Sequence, residues 1–410
     1  MNLIRCRFCE TPLEYSFADL GMSPLANSYL NLEHLQQMEP FYPLCVYVCE
    51  NCYLVQLPQF ATPEHIFSHY AYFSSYSETW LNHAKTYAQL MIERFGFTTN
   101  SHVIEIASND GYLLQYFKQK GIPVLGVEPA LNVAQVAAAA GIPTIVKFFG
   151  VETATVLASE GKQADLLIGN NVLAHVPVLN EFIQGMKILL KPQGIITMEF
   201  PHLMRLMEEN QFDTIYHEHF SYFSLTTVEK VFNKHGLTLF DVEKLPTHGG
   251  SLRIYARHTE NTSRTIEKQV TDLKDRETSA GLTRLQHYLA FDDKVKATKR
   301  QLLAFLISAK QEGKSVVGYG AAAKGNTLLN YCGIRSDFID YTVDRSPHKQ
   351  GRFLPGTHIP IYHPAKVKET MPDYLLILPW NLKDEIMEQM ADIRQWGGQF
   401  LVPIPEVKVY

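Results

Sequence analysis

The chain has 410 residues, 46% hydrophobic and 19% charged, with a formal net charge of -5. That is an ordinary globular balance with room for two or three domains, and its sign excludes nucleic acid as the main partner. No apolar run reaches membrane-spanning length and the first residues lack the apolar core of a secretory signal, so a cytoplasmic protein is expected.

The first element is a cysteine-rich module over residues 1–70. Of six cysteines, Cys6, Cys9, Cys45, Cys49 and Cys52 precede position 53, and only Cys332 lies elsewhere. Cys6-x-x-Cys9 and Cys49-x-x-Cys52 are two knuckles. Together they can give four thiolates to one tetrahedral Zn2+, which leaves no open position and makes the ion structural. Metal binding would supply folding energy to a segment too short for a large core. The alternative, a pair of redox dithiols, lacks a thioredoxin-like βαβ context. Cys45 is the expected spare, and the module has no basic cluster with which to read nucleic acid.

Tyrosines and hydroxyl groups follow in Ser68-His-Tyr-Ala-Tyr-Phe-Ser-Ser-Tyr-Ser-Glu78. Tyr70 and Tyr72 could line a sugar or nucleotide pocket, or pack as an interdomain linker. A helix is predicted over 78–94.

Residues 71–255 read as an α/β domain with a mainly parallel sheet. Strands are predicted at 102–107, 123–127, 143–146, 165–169 and 194–200. The first strand leads into the turn Ala107-Ser-Asn-Asp-Gly111, and the second ends in Glu128. Strand, turn, helix and acid in that order indicate nucleotide binding. A dinucleotide fingerprint needs glycines so that the backbone can approach a pyrophosphate, and here only Gly111 is present. Asn109 tolerates positive φ, so the turn can still be tight. Glu105 in the strand would repel phosphate and suits a cation. These features favour S-adenosylmethionine, with Glu105, Ala107, Asn109 and Gly111 at the turn and Glu128 on the ribose. A turn without a ligand is the bland alternative. Ligands bind at the carboxyl ends of such strands, which places Asn170, Asn171 and His175 at the methyl end of the cofactor.

Tyr216, His217, Glu218 and His219 are consecutive. A general acid/base group fits them better than a metal pair, because no H-E-x-x-H helix motif is present. A polar surface loop is the alternative. Residues 256–313 have helical spacing and form an expected connector. A second Rossmann-like signal occupies 314–410: Ser315-Val-Val-Gly-Tyr-Gly320, then Lys324, then Ile339-Asp-Tyr-Thr-Val-Asp344. Lys324, Lys349 and Arg352 give it a balance that suits phosphate. A degenerate fold kept for packing would share that pattern.

Taken together, these motifs make the chain resemble the S-adenosylmethionine-dependent sugar C-methyltransferases of deoxysugar biosynthesis. The resemblance covers both knuckles, Leu20-Gly-Met-Ser-Pro-Leu25, Tyr70-Ala-Tyr72, Glu105-Ile-Ala-Ser-Asn-Asp-Gly111 and Asn171-Val-Leu-Ala-His-Val-Pro177. It continues through Glu218-His219-Phe220, His248-Gly-Gly250, Gly318-Tyr-Gly-Ala-Ala-Ala-Lys324 and His358-Ile-Pro360. It implies a class I methyltransferase (Rossmann-like) domain between a four-cysteine zinc module and a second Rossmann-like domain. The implied reaction methylates C3, or C5 in some members, of a nucleotide-linked 4-keto-6-deoxysugar, with a dTDP sugar the expected form. By resemblance His219 is the base and Glu218 its partner, Tyr216 and His175 contact the sugar, and Tyr70 closes the pocket. No obligate protein partner is expected. Two other readings stay open at this stage: a small-molecule O-methyltransferase, and a zinc-ribbon interaction protein with an inactive methyltransferase fold.

Overall fold

The computed structural model describes residues 4–64 and 73–410. Its strands form three sheets, and the sites lie where the sheets' domains meet. The first sheet has the order β1-β2-β3-β9, with β1 Tyr15–Ser23, β2 Tyr42–Val48, β3 Val55–Gln56 and β9 Ser221–Tyr222. The last strand is the informative one. It lies two residues beyond His219 and pairs antiparallel with β3 (Val55↔Tyr222, Gln56↔Ser221). The cysteine module therefore holds the histidine segment by main-chain bonds, extended by Leu57 N–H donating to the Phe220 carbonyl.

The second sheet has the order β10-β11-β8-β7-β4-β5-β6. Its strands are β4 Val103–Ile106, β5 Val124–Val127, β6 Thr144–Ile145, β7 Ala164–Asn170, β8 Leu190–Pro201, β10 Leu237–Leu245 and β11 Ser251–His258. The run from β6 to β8 is parallel, whereas β11 and β10 are antiparallel to their neighbours. Each of the five predicted strands is present. β4 and β5 are buried at every position, as a sheet covered by helices on both faces requires. The predicted helix is Glu78–Phe95. Ser77 caps it by accepting from Trp80 N–H, and Gly96 ends it in the left-handed conformation.

Helices Lys268–Ala280, Leu285–Leu289 and Phe291–Gln311 form the connector. Glu277 is fully buried in it. Its carboxylate receives Leu225 N–H at 2.7 Å, Thr226 N–H at 2.8 Å and His202 Nε2 at 2.7 Å. The third sheet has the order β14-β13-β12-β15-β16-β17: β12 Val316–Tyr319, β13 Thr342–Val343, β14 Ile361–Tyr362, β15 Tyr374–Ile377, β16 Gln399–Val402 and β17 Lys408–Val409. All its pairings are parallel except β16 with β17. Among the described residues no helix is long and apolar enough to cross a membrane.

Candidate active site and metal centre

The four knuckle cysteines converge. The Sγ atoms of Cys6, Cys9, Cys49 and Cys52 all lie within 4.8 Å of one another, with Cys6–Cys52 at 3.6 Å and Cys9–Cys49 at 3.5 Å. A tetrahedron with Zn–S bonds of about 2.3 Å has edges of about 3.8 Å, so the cluster fits zinc. The two knuckles are built alike. Glu10 N–H donates to Cys6 O and Tyr53 N–H to Cys49 O, and Glu10 and Tyr53 both have positive φ. Cys45 Sγ lies by Ser16 Oγ, outside the cluster. Between the cysteines, Arg7 donates to the Leu57 and Val176 carbonyls and covers the Phe220 ring. It ties the knuckle to the segment that carries His219.

The cofactor turn follows β4. Ala107, Asn109 and Gly111 have φ of 55°, 50° and 79°, so Ala107 and Asn109 adopt a glycine conformation. Glu128 Oε2 accepts Asn109 N–H and Oε1 accepts Ala130 N–H, both at 2.9 Å. The carboxylate thus braces the turn. Glu105, Ser108, Asp110 and Asn170 each keep at least one buried side-chain atom without a partner among the described residues. Buried polar atoms are normally satisfied, so this concentration marks the place of a ligand. Burial, then the neighbouring Asp110 and Glu128 carboxylates, raise Glu105 well above the usual range. A sulfonium or ammonium group would relieve that repulsion. S-adenosylmethionine carries both and fits.

Sequence reasoning missed the aromatic wall of this pocket. Trp80 stacks on His83 (4.8 Å) and on Tyr112 (6.1 Å) and tilts over His248 (5.4 Å). Behind it Glu199, fully buried at the end of β8, accepts from His83 (2.9 Å), Arg253 (3.0 Å) and Thr247 (2.9 Å). Tyr70 and Tyr72 lie outside the described residues. The chain just after them is anchored on the turn, with Ser74 N–H on Asn109 Oδ1 (2.9 Å) and Ser75 N–H on Asp110 Oδ2 (3.1 Å).

Across the pocket, His219 packs on Tyr216 (4.0 Å between rings) and on His175 (4.7 Å). His219 Nδ1 is 2.8 Å from the Thr214 carbonyl oxygen. A carbonyl only accepts, so the ring proton sits on Nδ1 and Nε2 carries the lone pair. Burial, reinforced by His175, holds His219 neutral by pushing it well below its usual pKa. Burial brings His175 down to about 4 even though the Glu218 carbonyl accepts from its ring. The expected partnership of Glu218 with His219 is corrected here. The Glu218 carboxyl receives Asn27 Nδ2–H from the cysteine module at 2.6 Å, and burial pushes it up to about 7. Thr214 orients the histidine instead. His217 turns away toward the Pro43 carbonyl.

His248 is a further pocket residue that sequence reasoning did not assign. Its ring nitrogen is 3.0 Å from Asn171 Nδ2, and both residues hold positive φ (54° and 55°). Left-handed backbone at two non-glycine residues in contact is strain of the kind found at functional sites. The Gly249-Gly250 pair after it was the signal available in the sequence.

The three basic residues given to phosphate part company. Lys349 Nζ donates to the Ala321 carbonyl at 2.9 Å and lies 3.7 Å from Asp344. Arg352 is exposed on the surface. Lys324 points the other way, toward the histidines. Its Nζ is 3.0 Å from Asn381 Oδ1 and 4.6 Å from the Trp380 ring centre.

Three family models match the chain: a zinc binding domain over residues 6–67, a methyltransferase domain over 80–242 and the C-methyltransferase C-terminal domain over 246–405. The C-methyltransferase NovU of Streptomyces niveus is 36% identical over 404 residues, 98% of this chain and 96% of that protein. Among solved structures, the PH0226 protein of Pyrococcus horikoshii OT3 aligns at 17% identity over 48% of this chain and 99% of its own, with a TM-score of 0.36. The magnesium protoporphyrin IX methyltransferase of Synechocystis PCC 6803 with bound SAM aligns at 13% over 43% and 78%, with a TM-score of 0.33.

Proposed function

The chain belongs to the S-adenosylmethionine-dependent C-methyltransferases, and from that premise we propose that its substrate is a nucleotide-linked 4-keto-6-deoxysugar methylated at C3. The observation that carries this reading is the 2.8 Å contact of His219 Nδ1 with the Thr214 carbonyl, which leaves the lone pair on Nε2. A saturated carbon becomes a nucleophile toward a methyl group only by first losing a proton, and a ketone acidifies the C–H beside it. His219 Nε2 is a neutral base, held in place through the Thr214 carbonyl and supported by Tyr216 and His175. Glu105, Asn109 and Asn170 would hold S-adenosylmethionine, which would supply an electrophilic methyl group. Asn171 and His248 form the wall between the two halves.

The nucleotide fits at the C-terminal domain's basic loop. Arg345 and Arg352 lie on it, and its His348 stacks on Tyr76 over the cofactor turn at 6.2 Å between ring centres. The diphosphate of a dTDP-linked sugar suits such a loop. No nucleic acid, membrane or obligate protein partner enters this reading, which describes a cytoplasmic biosynthetic enzyme.

The test is a panel of 4-keto-6-deoxysugar nucleotides deuterated at C3, incubated with S-adenosylmethionine. Deuterium loss and one new C–CH3 group per turnover are the expected result. His219→Asn should reduce both by about a thousandfold while leaving cofactor affinity unchanged. Methylation with the C3 deuterium fully retained would overturn the reading.

A further inference from the structure

Lys324 is the second residue of the helix Ala323–Cys332, in the C-terminal domain. Its position is fixed from several sides. Asn381 Oδ1 holds the ammonium at 3.0 Å, and Trp380 lies flat below it. The same indole donates Nε1–H to Asp213 Oδ2 at 2.7 Å. A Cβ added to Gly249 would stand 2.6 Å from the far edge of that ring, so the indole abuts the residue next to His248. One turn along the helix, Thr327 donates to the Ile215 carbonyl at 2.9 Å. Asp213 and Ile215 flank Thr214, whose carbonyl orients His219. Lys324 is thereby bracketed between the His219 segment and the His248 loop.

Lys324, His219, His175, Tyr216, His248 and Asn171 are all half-buried, although segments of all three domains close around them. His219 packs on His175 and Tyr216, and Asn171 bonds the ring of His248. Asp213 and Asn326 each keep one buried oxygen without a partner among the described residues.

The geometry points to Lys324 as the group that donates a hydrogen bond to the substrate's carbonyl oxygen as that oxygen becomes the enolate. This inference rests on the substrate reading above. In the step, His219 Nε2 takes the C3 proton. The C–H electron pair becomes the C3=C4 π bond, and the carbonyl π pair moves onto oxygen, where the ammonium meets it. When C3 takes the methyl group, the oxygen pair re-forms the carbonyl and sulfur keeps the pair of its broken bond to carbon. A preorganised cation where charge develops is the largest lever on such a barrier. Two features keep the ammonium suited to that task. Asn381 orients it, and the Asp213 carboxylate opposes the lowering of its pKa by burial. The pocket also couples it to both His219 and His248.

Lys324→Met and Lys324→Arg test this, with C3 deuterium washout in the presence of S-adenosylhomocysteine as the readout. The Met variant should exchange and turn over about a hundredfold more slowly, with KM for the sugar nucleotide within about threefold of wild type and calorimetric S-adenosylhomocysteine binding unchanged. The Arg variant should recover part of the exchange. Wild-type exchange in the Met variant, with only KM raised, would make Lys324 a phosphate ligand and overturn the inference. If the Met variant fails to fold, Asn381→Leu leaves the lysine in place but unheld. A reduced exchange rate there supports the assignment and an unchanged one overturns it. The two failures are distinguishable: if the wild-type enzyme exchanges no C3 deuterium, the substrate reading falls, whereas exchange that is indifferent to Lys324 removes only the lysine.

Discussion

The methyltransferase domain and the C-terminal domain contain the same turn with opposite contents. In the first, the acid ending the second strand, Glu128, accepts Asn109 N–H from the turn and Ala130 N–H two residues on. In the second, Asp344 accepts Ala321 N–H at 2.7 Å and Ser346 N–H at 2.8 Å, by the same scheme. In the first turn, Glu105, Ser108 and Asp110 also keep buried atoms without partners among the described residues, although Ser74 and Ser75 N–H donate to Asn109 and Asp110. The second is filled by the protein itself. Lys349 Nζ and the Tyr29 hydroxyl both bond the Ala321 carbonyl. In one copy of the βαβ unit, buried carboxylates crowd the turn. In the other, a lysine of the same chain occupies the equivalent place, and the helix that follows is free to present Lys324 to its neighbour.

The largest effect should come from neutralising one acid in each copy. Glu105→Gln removes a buried charge facing the cofactor, and charge-assisted contacts of this kind are worth about 1.5–3 kcal/mol. S-adenosylmethionine affinity should fall about ten- to a hundredfold by calorimetric titration. Asp344→Asn should leave that affinity unchanged. Equal losses would mean that both turns serve the cofactor and would end the distinction.

This contrast was only half legible in the sequence. Cysteine spacing and the order of strand, turn and acid are local patterns, so the convergence of the knuckles and the turn that Glu128 braces could be read directly. The partner of His219 could not. Glu218 is its sequence neighbour, but in an irregular turn consecutive side chains leave in different directions, and Asn27 from the cysteine module claims the carboxyl. The direction of Lys324 was equally hidden, because it depends on Trp380 and Asn381, which a different part of the chain supplies.

A smaller effect concerns the ligand-free protein. Its Glu105 is raised by burial and by two neighbouring carboxylates. For a group raised above its unfolded value, the contribution to stability is complete below the unfolded pKa and disappears as pH rises through the folded one. Glu105 therefore subtracts stability from the unliganded wild type as pH rises above its unfolded value, so Glu105→Gln should gain in melting temperature relative to wild type over that range. At pH 8 that variant should melt above wild type. Asp344→Asn should melt lower, because its carboxylate already has donors to satisfy. Calorimetric melting with and without S-adenosylmethionine checks the sign, since saturating cofactor should erase the advantage of Glu105→Gln.

The finest comparison is between the backbones of the turns. Ala107 holds φ of 55° with a side chain present, whereas Gly320 holds 95° with none. Left-handed backbone costs a non-glycine residue about 1–2 kcal/mol. Ala107→Gly should release that strain, offset by about 0.4–1 kcal/mol of added freedom in the unfolded chain. The net change is a gain of about 1 kcal/mol or less. Gly320→Ala meets the strain and a steric barrier as well, because its Cβ would lie 2.5 Å from Pro379 Cδ. Overpacking adds about 1–3 kcal/mol to that loss. Pro379 immediately precedes Trp380, so the Gly320 variant should also displace the indole beneath Lys324 and slow catalysis, whereas Ala107→Gly should not. If Gly320→Ala melted like wild type at full activity, the second turn could not be the fixed platform from which Lys324 is presented.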